Sequence, residues 1–244
     1  MKIAVLDTGL GGLDILNKLL KKYPNNEYIY FCDNLNCPYG VKDKEEVRKL
    51  IVNILNYFEK ININLLVVAC NTISTFIDDL RSEYSYPIYT ILDANAKLLN
   101  ERFKYKKVTI IATSLTIRNE SYFYKTNDID LQFVNGSYLT KLIEDGDELL
   151  IENEIKSLLK QCDKDSDAIL LGCTHYALYK PIFINKCYSK LFIEASKELV
   201  YSLPLDGFNS DTSLVISLTK FNKEYLNKIN KFIKYKYDIH KIKL

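Results

Sequence analysis

Two aliphatic runs, Leu65–Val68 and Ala168–Leu171, each end in a polar segment that carries a cysteine. The first continues as Ala69-Cys70-Asn71-Thr72 and the second as Gly172-Cys173-Thr174-His175. A short apolar run bounded by polar residues reads as a strand buried on both faces, the pattern of a parallel sheet. Each cysteine therefore falls where a strand gives way to a loop, and in open α/β sheets that edge is where ligands bind. A second match lies upstream of each, because the stretch Lys2–Gly9 resembles Lys107–Ser114. The upstream stretches are offset by 107 − 2 = 105 residues and the cysteines by 173 − 70 = 103. Two matches at nearly one offset constrain the chain to two related lobes, each contributing a cysteine. Thiols facing one another across a cleft suit acid-base chemistry on both faces of one carbon.

The remaining pattern extends this reading. Strands are expected at Ile3–Leu6, Tyr28–Phe31, Leu65–Val68, Ile88–Ile91, Val108–Ala112, Leu131–Val134, Ala168–Leu171 and Leu191–Ile193. Helical spacing is expected over Leu13–Lys21, Lys44–Lys60, Thr75–Glu83, Ala94–Glu101, from about Asn119, and over Asn153–Lys160. Strands alternating with helices indicate βαβ units and parallel sheets. The expected fold class is α/β: two pseudo-symmetric lobes, each a mainly parallel sheet flanked by helices, with the active site in the interlobe cleft. The first lobe is expected to span residues 1–93 and 205–244, and the second 94–204, with Pro204 and Gly207 as turn signals at the return. From Thr219 to Lys236 the tail places Phe221, Tyr225, Ile229 and Phe232 at helical spacing. It reads as an amphipathic helix closing the first lobe. Its basic face leaves a partner- or membrane-surface helix as the competing reading.

A chain of 244 residues has room for a core in each lobe. With 33 basic and 31 acidic residues the net charge is +2, so no strong field points to nucleic acid or an anionic membrane. No apolar stretch reaches the length of a membrane span. The chain enters a strand at Ile3, leaving no room for a secretory signal, so a cytoplasmic location is expected. The six cysteines then read as thiols. Cys32 and Cys37 lie close together, but only His175 and His240 exist to complete a metal site, and no zinc centre is expected.

Asp7-Thr8-Gly9-Leu10-Gly11-Gly12 follows the first strand and opens a helix. Glycines there permit a tight turn, and a helix start offers free amide donors to an anion. Neither a dinucleotide fingerprint nor a P-loop lysine is present, so a carboxylate-sized ligand fits better than a nucleotide. The plain alternative is a structural strand–helix turn. A single buried cysteine is ordinarily core packing. Equivalent placement of Cys70 and Cys173 in two lobes favours reactivity instead. A catalytic thiol needs a charged or hydrogen-bonding neighbour. Asp7 and His175 are the candidates, and His175 stands two residues beyond Cys173, close enough to assist proton transfer.

Asp7-Thr8-Gly9-Leu10-Gly11-Gly12, Pro38-Tyr39-Gly40, Ala69-Cys70-Asn71-Thr72 and Gly172-Cys173-Thr174-His175-Tyr176, in that order and spacing, resemble the glutamate racemases of the aspartate/glutamate racemase superfamily. The similarity covers nearly the whole chain, and Thr-His after the second cysteine resembles glutamate rather than aspartate racemases. The resemblance implies an isomerase that interconverts L- and D-glutamate without cofactor or metal and supplies D-glutamate for peptidoglycan. It implies that Cys70 and Cys173 work from opposite faces of the α-carbon, Asp7 assisting near Cys70 and His175 near Cys173. Glu144, in Leu142-Ile143-Glu144-Asp145-Gly146, matches a further family acid; the alternative is a solvated helix-end carboxylate among Asp145, Asp147 and Glu148. Besides Asp7 and His175, the positions matching substrate contacts are Thr8, Tyr39, Gly40, Asn71, Thr72, Thr113, Thr116 and Thr174, which offer hydroxyl, amide and backbone groups. The implied partner is a small molecule, glutamate, with neither nucleic acid nor membrane, and pairing as a homodimer is allowed. Two competing readings are a racemase of another amino acid such as aspartate, and a non-catalytic amino-acid-binding protein that kept the lobes. The chain departs from the family pattern at Thr8, Cys32, Asp93-Ala94-Asn95, Asn119 and Ala177, none of them a matched acid-base group.

Overall fold

The computed structural model describes residues 1–205 and 212–243, so Gly207 of the expected return lies outside the described residues. The strands are β1 (Lys2–Asp7), β2 (Glu27–Cys32), β3 (Leu65–Val68), β4 (Ile88–Thr90), β5 (Lys107–Ala112), β6 (Asp130–Asn135), β7 (Ala168–Leu171), β8 (Leu191–Ile193), β9 (Ser213–Leu218) and β10 (Asp238–Lys241). They make two sheets, ordered β10-β9-β2-β1-β3-β4 and β6-β5-β7-β8. Every neighbouring pair is parallel. The duplication is explicit in this topology, since β2-β1-β3-β4 repeats as β6-β5-β7-β8. Strand starts are offset by 105 for β1 and β5, and by 130 − 27 = 168 − 65 = 191 − 88 = 103 for the other three pairs.

Side-chain alternation splits each sheet between two cores. In β1, Ile3 and Val5 enter one cluster while Ala4 and Leu6 enter the other, as the period-two pleat requires. The first cluster is covered by Leu16 and Leu19 of the helix Leu13–Lys22, by Leu199 and Val200 of Ser196–Ser202, and by Ile229 of Lys223–Phe232. The second is covered by the helix Lys44–Lys60, whose Val47, Ile51, Ile54, Leu55 and Phe58 share one face. Asp43 fixes the start of that helix by accepting the N–H groups of Glu45 and Glu46. On the second sheet, the helices Ser137–Asp145 and Glu148–Gln161 cover one face. Leu92, Leu99 and Phe103 cover the other. The helix Ile91–Arg102 also sends Ile91 and Leu98 into the first-sheet core, so it is a spine common to both lobes. Each buried aliphatic side chain of this kind contributes about 1.5–3 kcal/mol.

Several local expectations are corrected. The helix expected over Thr75–Glu83 is instead two short helices, Asn71–Ser74 and Ile77–Leu80, followed by a 3-10 turn at Arg81–Glu83. The break follows from hydroxyls that bond back to the chain, Ser74 to the Cys70 carbonyl and Thr75 to that of Thr72, each at 2.8 Å. The helix expected from Ala94 starts at Ile91, because the Thr90 hydroxyl accepts the Asp93 N–H at 3.0 Å and ends β4 there. Helical residues near Asn119 divide into Ser114–Arg118 and Ser121–Lys125 on either side of it. The helix Ser137–Asp145 and the strands β9 and β10 were not anticipated. No helix among the described residues is long and apolar enough to cross a membrane.

Candidate active site

The duplicated strands deliver their chemistry at one edge. Asp7 ends β1, Cys70 stands two residues past β3, Thr113 follows β5, and Cys173 stands two residues past β7. All four are buried, the cysteines at 7% exposure each. Side chains from the two lobes meet there. The Thr174 hydroxyl donates to Asp7 Oδ2 at 3.0 Å, while Asp7 Oδ1 accepts the Gly9 N–H at 3.0 Å. Thr72 of the first lobe forms a hydroxyl triangle with Thr113 and Thr116 of the second, with edges of 2.9, 3.1 and 3.0 Å. A Cβ on Gly40 would overlap the Thr113 side chain, so the glycine permits the two lobes to approach at that point.

Around Cys173 the contacts form a chain. Its Sγ lies 3.7 Å from His175 Nδ1 and 3.7 Å from the Thr140 hydroxyl. On its far side, His175 Nε2 lies 2.5 Å from Glu144 Oε1, which also accepts the Leu10 N–H from the other lobe at 2.8 Å. The solvated-carboxylate alternative for Glu144 is overturned, as its side chain is only 13% exposed. Burial alone would strip the proton from His175, but hydrogen bonds to Cys173 and Glu144 hold its pKa well above the ordinary imidazole value. Burial would likewise raise Glu144, but His175 and the Leu10 N–H hold it below the ordinary carboxylate value. The outcome is a charge-assisted pair, stronger than a neutral hydrogen bond.

Around Cys70 the balance differs. Burial pushes its thiol well up, the Asp7 carboxylate pushes it further, and the N–H groups of Ile73 and Thr72 oppose both. Burial also raises Asp7, against the charge of His175 and its hydrogen bonds from Gly9 and Thr174. Both burial and Asp7 thus favour the protonated thiol at Cys70.

The other matched residues are brought to the same seam in different ways. Asn71 Oδ1 accepts from the Tyr122 hydroxyl at 2.7 Å and from Asn95 Nδ2 at 3.3 Å. Thr8 Oγ1 accepts from the Cys37 thiol at 3.7 Å. The Tyr39 hydroxyl is committed to Asp33 rather than to the cleft. Two departures from the family pattern supply bonds of their own. Asn95 Oδ1 accepts the Ala195 N–H at 2.9 Å, tying the two chain crossings together, and Asn119 Nδ2 donates across the seam to Thr75 Oγ1 at 2.7 Å. Asp93 pairs with Arg81 at 2.7 Å and Lys125 at 2.8 Å, linking the spine helix to both lobes.

Sequence reasoning did not single out Thr140 or Lys228 and gave Tyr225 no polar role. Lys228, on the C-terminal helix, donates to the carbonyls of Glu144 at 2.6 Å and Asp145 at 3.1 Å. Tyr225, one turn earlier, lies 3.5 Å from Cys32 Sγ. Its place on an apolar helical stripe suggested only packing, and the polar end of such a residue is not visible in spacing. A groove of about 770 Å³ lies beside Arg81, Asp93 and Leu199, and neither cysteine lines it.

The chain matches the Asp/Glu/Hydantoin racemase family over residues 8–194. It is similar to the glutamate racemase of Fusobacterium nucleatum subsp. nucleatum, with 36% identity over 187 residues, covering 73% of this chain and 71% of the relative. With that of Campylobacter jejuni subsp. jejuni it shares 33% identity over 214 residues, covering 83% and 81%. Among solved structures, glutamate racemase of Francisella tularensis subsp. tularensis in complex with D-glutamate superposes with a TM-score of 0.88 at 25% identity, covering 100% of this chain and 97% of that one. The chain belongs to the Asp/Glu/Hydantoin racemase family.

Proposed function

We propose that the chain is a glutamate racemase acting without cofactor or metal, and that D-glutamate for peptidoglycan is its product. The observation that carries this is the pairing of Cys70 and Cys173 at equivalent strand ends of two duplicated sheets, each with an ionisable group of its own. One thiolate removes the α-proton, and the thiol on the opposite face supplies another. The α-carbon is inverted, one C–H bond breaks, one forms, and the two sulfurs exchange protonation states. Reversal of the roles runs the reaction backwards.

The substrate's α-ammonium group answers the problem posed by Cys70. A cation beside the buried thiol and Asp7 offsets both influences that keep the sulfur protonated. At the other face, His175 with Glu144 moves protons to and from Cys173. Deprotonation places charge on the α-carboxylate, and the hydroxyls of Thr72, Thr113 and Thr116 are free to turn from one another towards it. Closure of the lobes keeps water from the carbanion. The working lobes are 1–93 with 205–244, and 94–204. Membership of β9 and β10 in the first sheet supports that return, whereas the packing of Leu199 and Val200 on the first-sheet core moves the crossing ahead of the helix Ser196–Ser202.

Circular dichroism of L- and D-glutamate incubated with chelator-treated protein, without pyridoxal phosphate, tests the reading. Glutamate should racemise in both directions, and alanine and leucine far more slowly, since they leave buried donors unpaired. A higher specificity constant for aspartate would overturn the substrate, and dependence on added pyridoxal phosphate or metal would overturn the mechanism.

A further inference from the structure

We propose that Cys37, Glu144 and His175 form a binding site for a borderline-soft divalent cation, Zn²⁺ foremost, which bridges the two lobes and stops turnover. The Cys37 thiol, a Glu144 carboxylate oxygen and a His175 ring nitrogen all lie within 4.8 Å of one another, and no other such trio exists among the described residues. Cys37 comes from the loop between β2 and the turn at Tyr39–Val41, whereas Glu144 and His175 come from the second lobe. The residues are distant in sequence, so the spacing patterns that mark zinc centres could not reveal them.

The donor set selects the ion. Thiolate and imidazole favour zinc and its neighbours, whereas magnesium and calcium take oxygen ligands. Ligand bonds to zinc are about 2.0–2.3 Å, so the three side chains must draw inward around the ion and the Glu144–His175 contact must open. Their supports are already in place. Glu144 is held by the Leu10 N–H, Cys37 Sγ lies 3.7 Å from the Thr8 hydroxyl, and His175 Nδ1 faces Cys173. Such outer contacts orient metal ligands. Three protein ligands leave a fourth position for water.

Binding releases the Cys37 thiol proton and the proton shared by His175 and Glu144, both to solvent, with no change of oxidation state. The ion then occupies the nitrogen through which His175 reaches Glu144, and its bond to Cys37 ties the lobes shut. Inhibition of turnover rests on the racemase reading; binding of the ion does not.

The test uses the full chain freed of metal by a chelator. Zinc affinity is measured by competition with a chromophoric chelator, and Co²⁺ replaces zinc as a spectroscopic probe. The wild type should bind one equivalent, and the cobalt form should show a thiolate-to-metal charge-transfer band. Cys37→Val should lose that band and weaken zinc binding by at least roughly tenfold, the lower end of what even an outer-shell partner is worth. Its metal-free racemase activity should persist, and the zinc concentration for half inhibition should rise in step with the weakened binding. Cys37→Ser, which keeps the size of the side chain, should also lose the band if Cys37→Val misfolds. Absence of zinc binding by the wild type, a cobalt band that survives loss of Cys37, or equal inhibition of wild type and Cys37→Val would each overturn the site, the last two pointing to Cys70 and Cys173. Absence of racemisation in metal-free wild type would count against the racemase reading and leave the binding result standing.

Discussion

Gly9→Ala probes the site with a single methyl group. Gly9 is fixed from both sides, its N–H donating to Asp7 Oδ1 at 3.0 Å and its carbonyl accepting from the Tyr30 hydroxyl at 2.6 Å. A Cβ there would stand 2.8 Å from both Glu144 Cδ and His175 Nε2, with Glu144 Oε1 nearer still, against 3.4 Å for ordinary contact. The neighbours must therefore retreat by at least 3.4 − 2.8 = 0.6 Å. The pinned backbone cannot yield, so the carboxylate, the far end of a flexible chain, swings away and the His175 ring shifts with it. Overpacking relieved in this way costs about 1–3 kcal/mol, so the variant folds. The swing removes Glu144 from His175 and Leu10, bonds worth about 1.5–3 kcal/mol each because the carboxylate is charged. Loss of positioned acid-base assistance lowers kcat for glutamate by about a hundredfold. Urea unfolding and polarimetric racemisation measure the two effects separately. A double-mutant cycle with Glu144→Gln supplies the control, because two changes that remove the same contact are not additive. Additive losses, or a Gly9→Ala kcat within about twofold of wild type, would refute the assigned role of the Glu144–His175 contact.

Cys70→Ser and Cys173→Ser should each nearly abolish racemisation, because a serine hydroxyl is too weak an acid-base at neutral pH. Each should still exchange the α-proton of one enantiomer with deuterium, and near wild-type turnover in both would count against two-thiol chemistry. Lys228→Met removes an interlobe donor whose bonds are worth about 1.5–3 kcal/mol, so KM for glutamate should rise several-fold while Lys228→Arg restores it. A fall in melting temperature with unchanged kinetics would assign Lys228 a structural role alone. For pH, Glu144 is lowered from 4.5, so its contribution is present above 4.5 and lost as pH falls through the folded value. His175 is raised above 6.5, so its contribution is present below 6.5 and lost as pH rises through the folded value. The pair is thus fully in force between those two ordinary values, and urea unfolding against pH should lose part of both limbs in Glu144→Gln; identical profiles would contradict the pairing.

The sheets were legible because their central strands are continuous apolar runs, and the repeat was legible because it survives as an offset of 105 or 103 residues. The edge strand β10 was not, as all four of its residues are exposed and its sequence carries no buried pattern. The helix Ser137–Asp145 was missed because its acidic end resembles a solvated surface. Only the tertiary fold places Glu144 against Leu10, 134 residues away in sequence. Motifs revealed the thiols, Asp7 and His175. The supports from Thr140, Tyr225 and Lys228 arise from packing between elements distant in sequence, which local patterns do not encode.

Duplication gives this chain two thiols without giving it two equal half-sites. By the offset of 105, Asp7 corresponds to Ala112, and by the offset of 103, His175 corresponds to Thr72. Each lobe thus carries one ionisable helper that its twin lacks, an acid beside Cys70 and an imidazole beside Cys173. The acid raises its thiol, whereas the imidazole holds a proton it can share. Protons should therefore leave and enter the two sulfurs with different pH dependence. Enantiomers have equal free energy, so kcat/KM in the two directions must coincide at every pH. The asymmetry has to emerge in kcat and KM separately, each pair moving together. Progress curves from L- and D-glutamate across the pH range would display it as two kcat profiles with displaced limbs, and Glu144→Gln should change that displacement. Superimposable kcat profiles in the wild type would mean that proton transfer at the thiols does not limit turnover in either direction, or that the two helpers are kinetically equivalent despite their chemistry.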